Sequence, residues 1–240
     1  MIRAIDLSKR YRDGHLALDA LNFDVEPGQI YCLLGAQGAG KTTAVRLLLG
    51  MIEPTSGRAE VDGYDVHREP QKAKSAVCYL PAAFAFYEAL TVRENLRLFG
   101  RLGMAEGQDF GVRDENLALR EVGLAERTFD VLVGGLGLGQ RQKLSVAIAI
   151  LRDAPVWIMD ETLRGVDPQT VVELTELIRH AREQGKALLW ATQDLFRVKQ
   201  LADSVGILKE GRQVLSYTRE ELGYQDLEQL YLDYMRGSAA

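Results

Sequence analysis

The stretch Ile30-Tyr31-Cys32-Leu33-Leu34-Gly35-Ala36-Gln37-Gly38-Ala39-Gly40-Lys41-Thr42-Thr43 runs from an apolar strand through a glycine-rich turn into the start of a helix. Its central part fits G-x-x-x-x-G-K-[ST], with a strand before it and a helical run over 43–49 after it, which is the context this motif requires. The glycines let the backbone fold around phosphate so that successive N–H groups point inward, and the helix N-terminus adds a favourable dipole. Gly35, Ala36, Gln37, Gly38, Ala39, Gly40, Lys41, Thr42 and Thr43 therefore form the expected phosphate-binding set. Lys41 is placed to pair with the β- and γ-phosphates of a nucleotide, and the Thr42 hydroxyl to ligate Mg²⁺, a hard cation that prefers oxygen. The bland alternative, a glycine-rich turn without ligand, is outweighed by the complete motif in its context.

Further along, Val156-Trp157-Ile158-Met159-Asp160-Glu161 is an apolar strand that ends in two carboxylates. Asp160 is expected at the metal, partly through water, and Glu161 is expected to polarise a water toward the γ-phosphate. Around these two motifs the chain alternates strands and helices. Strands are expected at 75–80, 156–159, 187–192 and 204–208, which implies an α/β fold with a mostly parallel sheet. The opening differs. Strands at 2–7 and 21–25, separated by a turn at Arg12-Asp13-Gly14 and closed by Glu26-Pro27-Gly28, read as antiparallel. Between 80 and 155 the pattern turns helical, with Thr91-Val92-Arg93-Glu94-Asn95-Leu96 opening one segment and 141–151 closing the region. We read one domain over 1–240, with a core of about 1–81 and 152–240 and a helical insertion of about 82–151. No linker divides it.

Composition sets the outer limits. Of the 240 residues 47% are hydrophobic and 26% charged, the balance of a globular protein. Apolar runs such as 145–151 fall well short of the ~20 residues that cross a bilayer. The start, Met1-Ile2-Arg3-Ala4-Ile5-Asp6, lacks the pattern of a secretory signal, so a cytoplasmic location is expected. Lys and Arg number 29 against 34 Asp and Glu, a formal charge of -5, which argues against nucleic acid as a partner. Cys32 and Cys78 lie in apolar runs and read as buried, reduced thiols; Trp157 and Trp190 read as core.

With its two motifs and the insertion between them, the sequence resembles the nucleotide-binding subunits of ABC transporters, of exporter type, along essentially the whole chain. Pro54-Thr55-Ser56-Gly57, Leu90-Thr91-Val92-Arg93-Glu94-Asn95-Leu96, the D-loop-like Gly165-Val166-Asp167-Pro168 and the ending Asp226-Leu227-Glu228-Gln229-Leu230-Tyr231-Leu232 carry the same resemblance. It implies a P-loop NTPase with the ABC ATPase architecture: an antiparallel β subdomain, a mostly parallel core sheet and an inserted helical subdomain. It also implies ATP and Mg²⁺ as ligands, with Tyr11 stacked on adenine and Glu161, Asp167 and Gln193 as the catalytic group. A plain strand tyrosine is the alternative at Tyr11.

Several positions depart from the family pattern. Where family members have a glutamine after Leu-Pro, Ala82 follows Leu80-Pro81; where they have a histidine after the next strand, Gln193 follows Thr192 and cannot carry a proton. The signature becomes Leu136-Gly137-Leu138-Gly139-Gln140, without the usual serine hydroxyl at Gly137 and with Leu138 crowding the approach; a rival register, Leu132-Val133-Gly134-Gly135-Leu136, lies one turn upstream. His15, His67 and His180 read as surface or hairpin residues with none near Gln193. Phe84, Phe86 and Tyr87 fall where family members receive a coupling helix; an exposed aromatic patch there would suit it, and packing inside the insertion is the alternative for each ring.

The resemblance thus implies an ATP-binding subunit, peripheral on the cytoplasmic face of a membrane, that docks on an integral membrane transporter subunit and couples ATP-driven dimerisation to export. Its ATPase activity is expected to be slow or partner-dependent. A regulatory module that closes on ATP with little hydrolysis is the alternative. A member acting on DNA or ribosomes is disfavoured, since neither tandem cassettes nor a long coiled coil occurs. The weakened signature favours a second, different cassette as partner over a homodimer.

Overall fold

The computed structural model of the chain describes residues 1–102, 110–222, 227–229 and 231. Strands β1 (Ile2–Arg10), β2 (Leu16–Val25) and β3 (Ile30–Leu34) lead into helix α1 (Lys41–Leu48), followed by β4 (Ser56–Val61), β5 (Tyr64–Asp65), α2 (Pro70–Ala76) and β6 (Val77–Pro81). Then come α3 (Val92–Arg101), α4 (Val112–Glu121) and α5 (Leu138–Leu151), and the chain continues as β7 (Val156–Asp160), α6 (Pro168–Glu183), β8 (Ala187–Thr192), α7 (Leu195–Leu201), β9 (Ser204–Lys209), β10 (Arg212–Thr218) and α8 (Arg219–Leu222). Residues 103–109 of the expected insertion, and Asp226, Leu230 and Leu232 of the expected ending, lie outside the described residues.

Two sheets form. The first is antiparallel in the order β2-β1-β4-β5, and the second runs β10-β9-β3-β8-β7-β6. In the second, β9, β3, β8, β7 and β6 are mutually parallel and only the edge strand β10 is antiparallel. The α/β expectation with a mostly parallel core sheet and an antiparallel opening sheet holds.

The parallel sheet is buried on both faces, which is why its strands read as near-continuous apolar runs. On β3, Ile30, Cys32 and Leu34 enter one core cluster while Tyr31 and Leu33 enter the other. On β8 the split is Leu188 and Trp190 against Ala187, Leu189 and Ala191. The period-two alternation of strand side chains assigns each residue its layer. One cluster continues from this sheet through Leu144 and Ile148 of α5 to Leu96 of α3 and Leu119 of α4; the other fills the space between the two sheets with Val45 and Leu48 of α1. Trp157 and Trp190 are core as expected, and both thiols are free and buried, with burial pushing Cys78 up to about 11.

The differences from the sequence reading are local. The strand expected at 75–80 begins only at Val77, because Ser75 and Ala76 complete a helix opened by Pro70 at its first position. Strands β4 and β10 were not anticipated. In β4 only Ala59 and Val61 face the core and Ser56, Gly57 and Arg58 are exposed, while β10 is an edge strand with a polar outer side, so neither carries a strong apolar signal. Thr91 caps α3 as expected: its hydroxyl accepts from the Glu94 N–H at 3.2 Å, and the Glu94 carboxylate accepts from the Thr91 N–H at 2.7 Å. Among the described residues no helix is long and apolar enough to cross a membrane.

Candidate nucleotide site

The glycine-rich loop spans the gap between the end of β3 and the start of α1, and two of its glycines are dictated by space. Gly40 precedes α1 at φ +108, and a Cβ there would lie 2.5 Å from the Ala17 carbonyl oxygen; one at Gly35 would lie 2.5 Å from that of Leu208. The loop thereby closes around Lys41, which is only 6% exposed. Its Nζ donates to the carbonyls of Gly35 at 2.6 Å and Ala36 at 3.0 Å and stands 3.8 Å from Glu161 Oε1. Burial lowers the basicity of this ammonium, and the carboxylates of Glu161 and Asp160 act against that shift.

Above the loop lies a cavity of about 390 Å³. It is lined by Tyr11 and His15 from the connection between β1 and β2, by Ala17 of β2, by Gln37, Gly38, Gly40, Lys41, Thr42 and Thr43 of the loop and the start of α1, and by Glu161, Arg164 and Gln193 from beyond the ends of β7 and β8. Most of the residues expected at the site are thus brought together. Gly35, Ala36 and Ala39 do not line the cavity; Gly35 and Ala36 supply the carbonyls that hold Lys41, and the Ala39 carbonyl accepts from the Gly211 N–H at 2.9 Å. Asp160, which is buried, does not line it either, nor does Asp167. The Asp167 carboxylate caps α6 by accepting from the Thr170 N–H at 2.9 Å, and that hydrogen bond keeps the acid below the ordinary carboxylate range. A larger cleft of about 680 Å³, between the end of α4 and α6, contains none of the motif residues.

The strand ends carry the acids. Parallel pairing sets Asp160 of β7 beside Ala191 of β8, so Glu161 and Gln193 project from neighbouring strand termini. Glu161 sits in the left-handed region at φ 52, its N–H donates to the Ala191 carbonyl at 2.9 Å, and its Oε2 receives a long 3.5 Å bond from the Thr192 hydroxyl. A bulky residue held at positive φ is a strained conformation of the kind that persists at functional sites. Asp160 is 8% exposed; burial raises its pKa, with the Thr42 hydroxyl and Lys41 opposing. Its Oδ1 is buried without a hydrogen-bond partner. A carboxylate oxygen left unpaired next to a threonine hydroxyl is a donor set of hard oxygens, which fits Mg²⁺.

The altered motifs take definite places. Gly137 stands immediately before α5, with its N–H donating to Gln140 Oε1 at 3.2 Å, and Leu138 opens the helix with its side chain 39% exposed. The signature over 136–140 therefore sits at a helix N-terminus, whereas the rival register falls on the 3-10 turn Val133–Gly135. A Cβ at Gly137 would meet nothing within 4 Å, so a serine fits there sterically. Ala82 brings no polar side chain, but Gln142 of α5, 1% exposed, donates from Nε2 to the carbonyls of Pro81 and Ala82 and ties the signature helix to that segment.

Three residues at or near the site were not singled out from sequence: His15, Arg164 and Gln142. His15, read as remote from Gln193, shares the cavity with it. The only signals were position, four residues after Tyr11 and three after Glu161, and helical membership for Gln142. Of the aromatic run, Phe86 is 7% exposed and Phe84 is half-buried, stacked on it with a centroid separation of 4.5 Å and meeting Phe99 edge-on, so these two take the packed alternative, while Tyr87 is 57% exposed.

Comparison with known proteins agrees with this geometry. The family model described as "ABC transporter" matches residues 18–164. The chain is 34% identical over 239 residues to the bacitracin transport ATP-binding protein BcrA of Bacillus licheniformis, covering 98% of this chain and 74% of that protein. It is 33% identical to the Nod factor export ATP-binding protein I of Cupriavidus metallidurans, covering 90% of this chain and 71% of that one. A solved structure of an ATP binding subunit of an ABC transporter superposes with a TM-score of 0.86 at 28% identity, covering 98% of this chain and 99% of that one. The glycine-rich loop, the acids at the strand ends and these matches lead to one conclusion: the chain belongs to the ABC transporter family as an ATP-binding subunit, an ATPase with the P-loop NTPase fold.

Proposed function

We propose that this subunit binds Mg·ATP in the cavity over residues 35–43 and uses it to close on a second, different cassette, driving export through a separate membrane protein at the cytoplasmic face. The observation that carries the reading is Lys41, buried and held by loop carbonyls in a cavity that also collects Glu161 and Gln193. Relatives named for bacitracin transport and Nod factor export support export as the direction.

Each side chain then has a task. Tyr11 stacks on the base at the far side of the cavity. Lys41 exchanges its carbonyl partners for phosphate oxygens, where charge-assisted bonds are stronger. Thr42 and Asp160 hold Mg²⁺, which supplies charge neutralisation along the phosphates. Glu161 orients the attacking water, with Gln193 donating a neutral hydrogen bond near the γ-phosphate. Asp167 acts at a distance, by fixing the start of α6 against the signature helix: a Cβ at Gly139 would lie 3.1 Å from Asp167 Oδ2. The helices between β6 and β7 serve as the unit that senses ATP and meets the membrane subunit, with Tyr87 on the exposed side.

The Asp160 carboxylate makes the metal assignment testable without turnover. A buried acid whose pKa is raised on folding binds its proton more tightly in the native state, so its contribution to stability falls as pH rises through that range, and the ionised form is the costly one. Asp160→Asn should therefore raise the Tm of the nucleotide-free chain at neutral pH, by ~2–4 °C for each kcal/mol recovered, while removing the extra stabilisation that Mg²⁺ adds to ATP. A lower Tm with the Mg²⁺ effect intact contradicts the assignment.

Hydrolysis by the isolated chain should be slow, below the common ~1–10³ per second, because Ala82 offers the γ-phosphate no polar side chain and Gln193 offers it a neutral donor that cannot carry a proton. Gln193→His should raise turnover roughly tenfold, the worth of one hydrogen bond to a charged group. A wild-type rate already in that range, or no response to the substitution, argues against the reading.

Pairing is tested by light scattering on Glu161→Gln with Mg·ATP, a variant meant to trap a closed dimer. With Gly137 and Leu138 in the signature, the chain should stay monomeric, and Gly137→Ser with Leu138→Gly should restore dimers. A tight homodimer of the Glu161→Gln chain at micromolar protein defeats the different-cassette proposal.

A further inference from the structure

Arg164 enters the nucleotide cavity from the loop after β7 and has no task in the scheme above. The backbone delivers it there: its N–H donates to the Glu161 carbonyl at 2.9 Å, closing the turn that begins with Glu161 in the left-handed region, and Gly165 follows at φ +76. Leu138, at the start of the signature helix, packs against this loop, since a Cβ at Gly165 would lie 3.4 Å from Leu138 Cδ2. The arginine is thus set on a braced turn in the cavity that Glu161 and Gln193 line from the ends of β7 and β8 and Tyr11 and His15 line from the connection between β1 and β2.

Its state differs from that of the other cation in the cavity. Lys41 is engaged by two carbonyls and Glu161, whereas the exposed guanidinium of Arg164 has no hydrogen bond or ion pair among the described residues. An unpaired guanidinium in a concave site floored by a phosphate-binding loop lacks only an anion, and its planar fork of N–H donors matches phosphate oxygens two at a time. Nothing in the fold requires a positive charge here; it also disfavours the charge on Lys41, which a phosphate placed between the two cations would reverse.

We propose that Arg164 is a second phosphate-binding cation of this site, closing on the terminal phosphate of ATP so that the cavity discriminates triphosphate from diphosphate. The inference rests on the reading of the cavity as the nucleotide site. With the base at Tyr11 and the β-phosphate at Lys41, the group at the opposite wall is the γ-phosphate, which ADP lacks. The charge of Arg164 stands where Gln193 supplies none, and its loop touches Leu138, so engagement of the terminal phosphate also tightens the contact with the signature helix.

The test is calorimetric titration of ATP and of ADP, each with Mg²⁺, into the wild-type chain, Arg164→Ala, Arg164→Lys and Lys41→Ala, with thermal unfolding as a check on folding. Arg164→Ala should weaken ATP by about tenfold or more and leave ADP unchanged, the loss expected for a charge-assisted bond. Arg164→Lys should recover part of the ATP affinity, keeping the charge without the fork. Arg164→Ala that binds ATP as tightly as wild type, or that weakens ATP and ADP equally, overturns the proposal. Lys41→Ala separates the two levels: loss of both nucleotides in that variant upholds the site whatever Arg164 does, and retention of both overturns site and proposal together.

Discussion

A cation folded onto the carbonyl oxygens of its own loop is the constraint around which this molecule is arranged. Lys41 is almost fully buried, and an ammonium taken out of water is costly unless hydrogen bonds and countercharge replace its hydration. Gly35 and Ala36 provide the first, Glu161 and Asp160 the second. That solution needs a backbone tight enough to turn two carbonyls inward, which the absence of a Cβ at Gly35 and Gly40 permits. It also needs acids at the right height, which the register of β7 against β8 provides. The arrangement is satisfied as it stands, and in the function proposed above these partners give way to phosphate oxygens.

The sheet makes the site possible by being uninteresting. Buried on both faces, it is a rigid layer whose strand ends stop together, so that side chains distant in sequence emerge side by side: Asp160 and Glu161 after β7, Gln193 after β8, the loop after β3. Packed contacts lead outward from the site. Gln142 joins the signature helix to the segment after β6, where Ala82 contributes only its carbonyl; Leu138 touches the loop of Arg164; Gly139 packs against the start of α6. These are short-range, packed connections, the kind that turn a small local shift into movement of a whole helix.

What was legible in the sequence was whatever a short local pattern fixes. The loop at 35–42 and the acids at 160–161 depend on neighbours in the chain, and a strand buried on both faces announces itself as an apolar run, so β3, β7 and β8 were read almost to their ends. Edge strands such as β4 and β10 were not, because they show a polar side to water. His15 and Arg164 sit on turns, where no periodicity marks a side chain as facing a cavity, and the role of Gln142 depends on a partner some sixty positions away. The aromatic run at Phe84, Phe86 and Tyr87 left packing and exposure both open, because the choice depends on Phe99, on α3, which meets Phe84 and Phe86 edge-on.

The most direct test of the central claim is a crystal structure of the Glu161→Gln chain with Mg·ATP. The phosphates should lie over the loop with Lys41 Nζ moved from the Gly35 and Ala36 carbonyls onto phosphate oxygens, and the base against Tyr11. Nucleotide bound elsewhere, or bound here with Lys41 still held by its own loop, contradicts the claim.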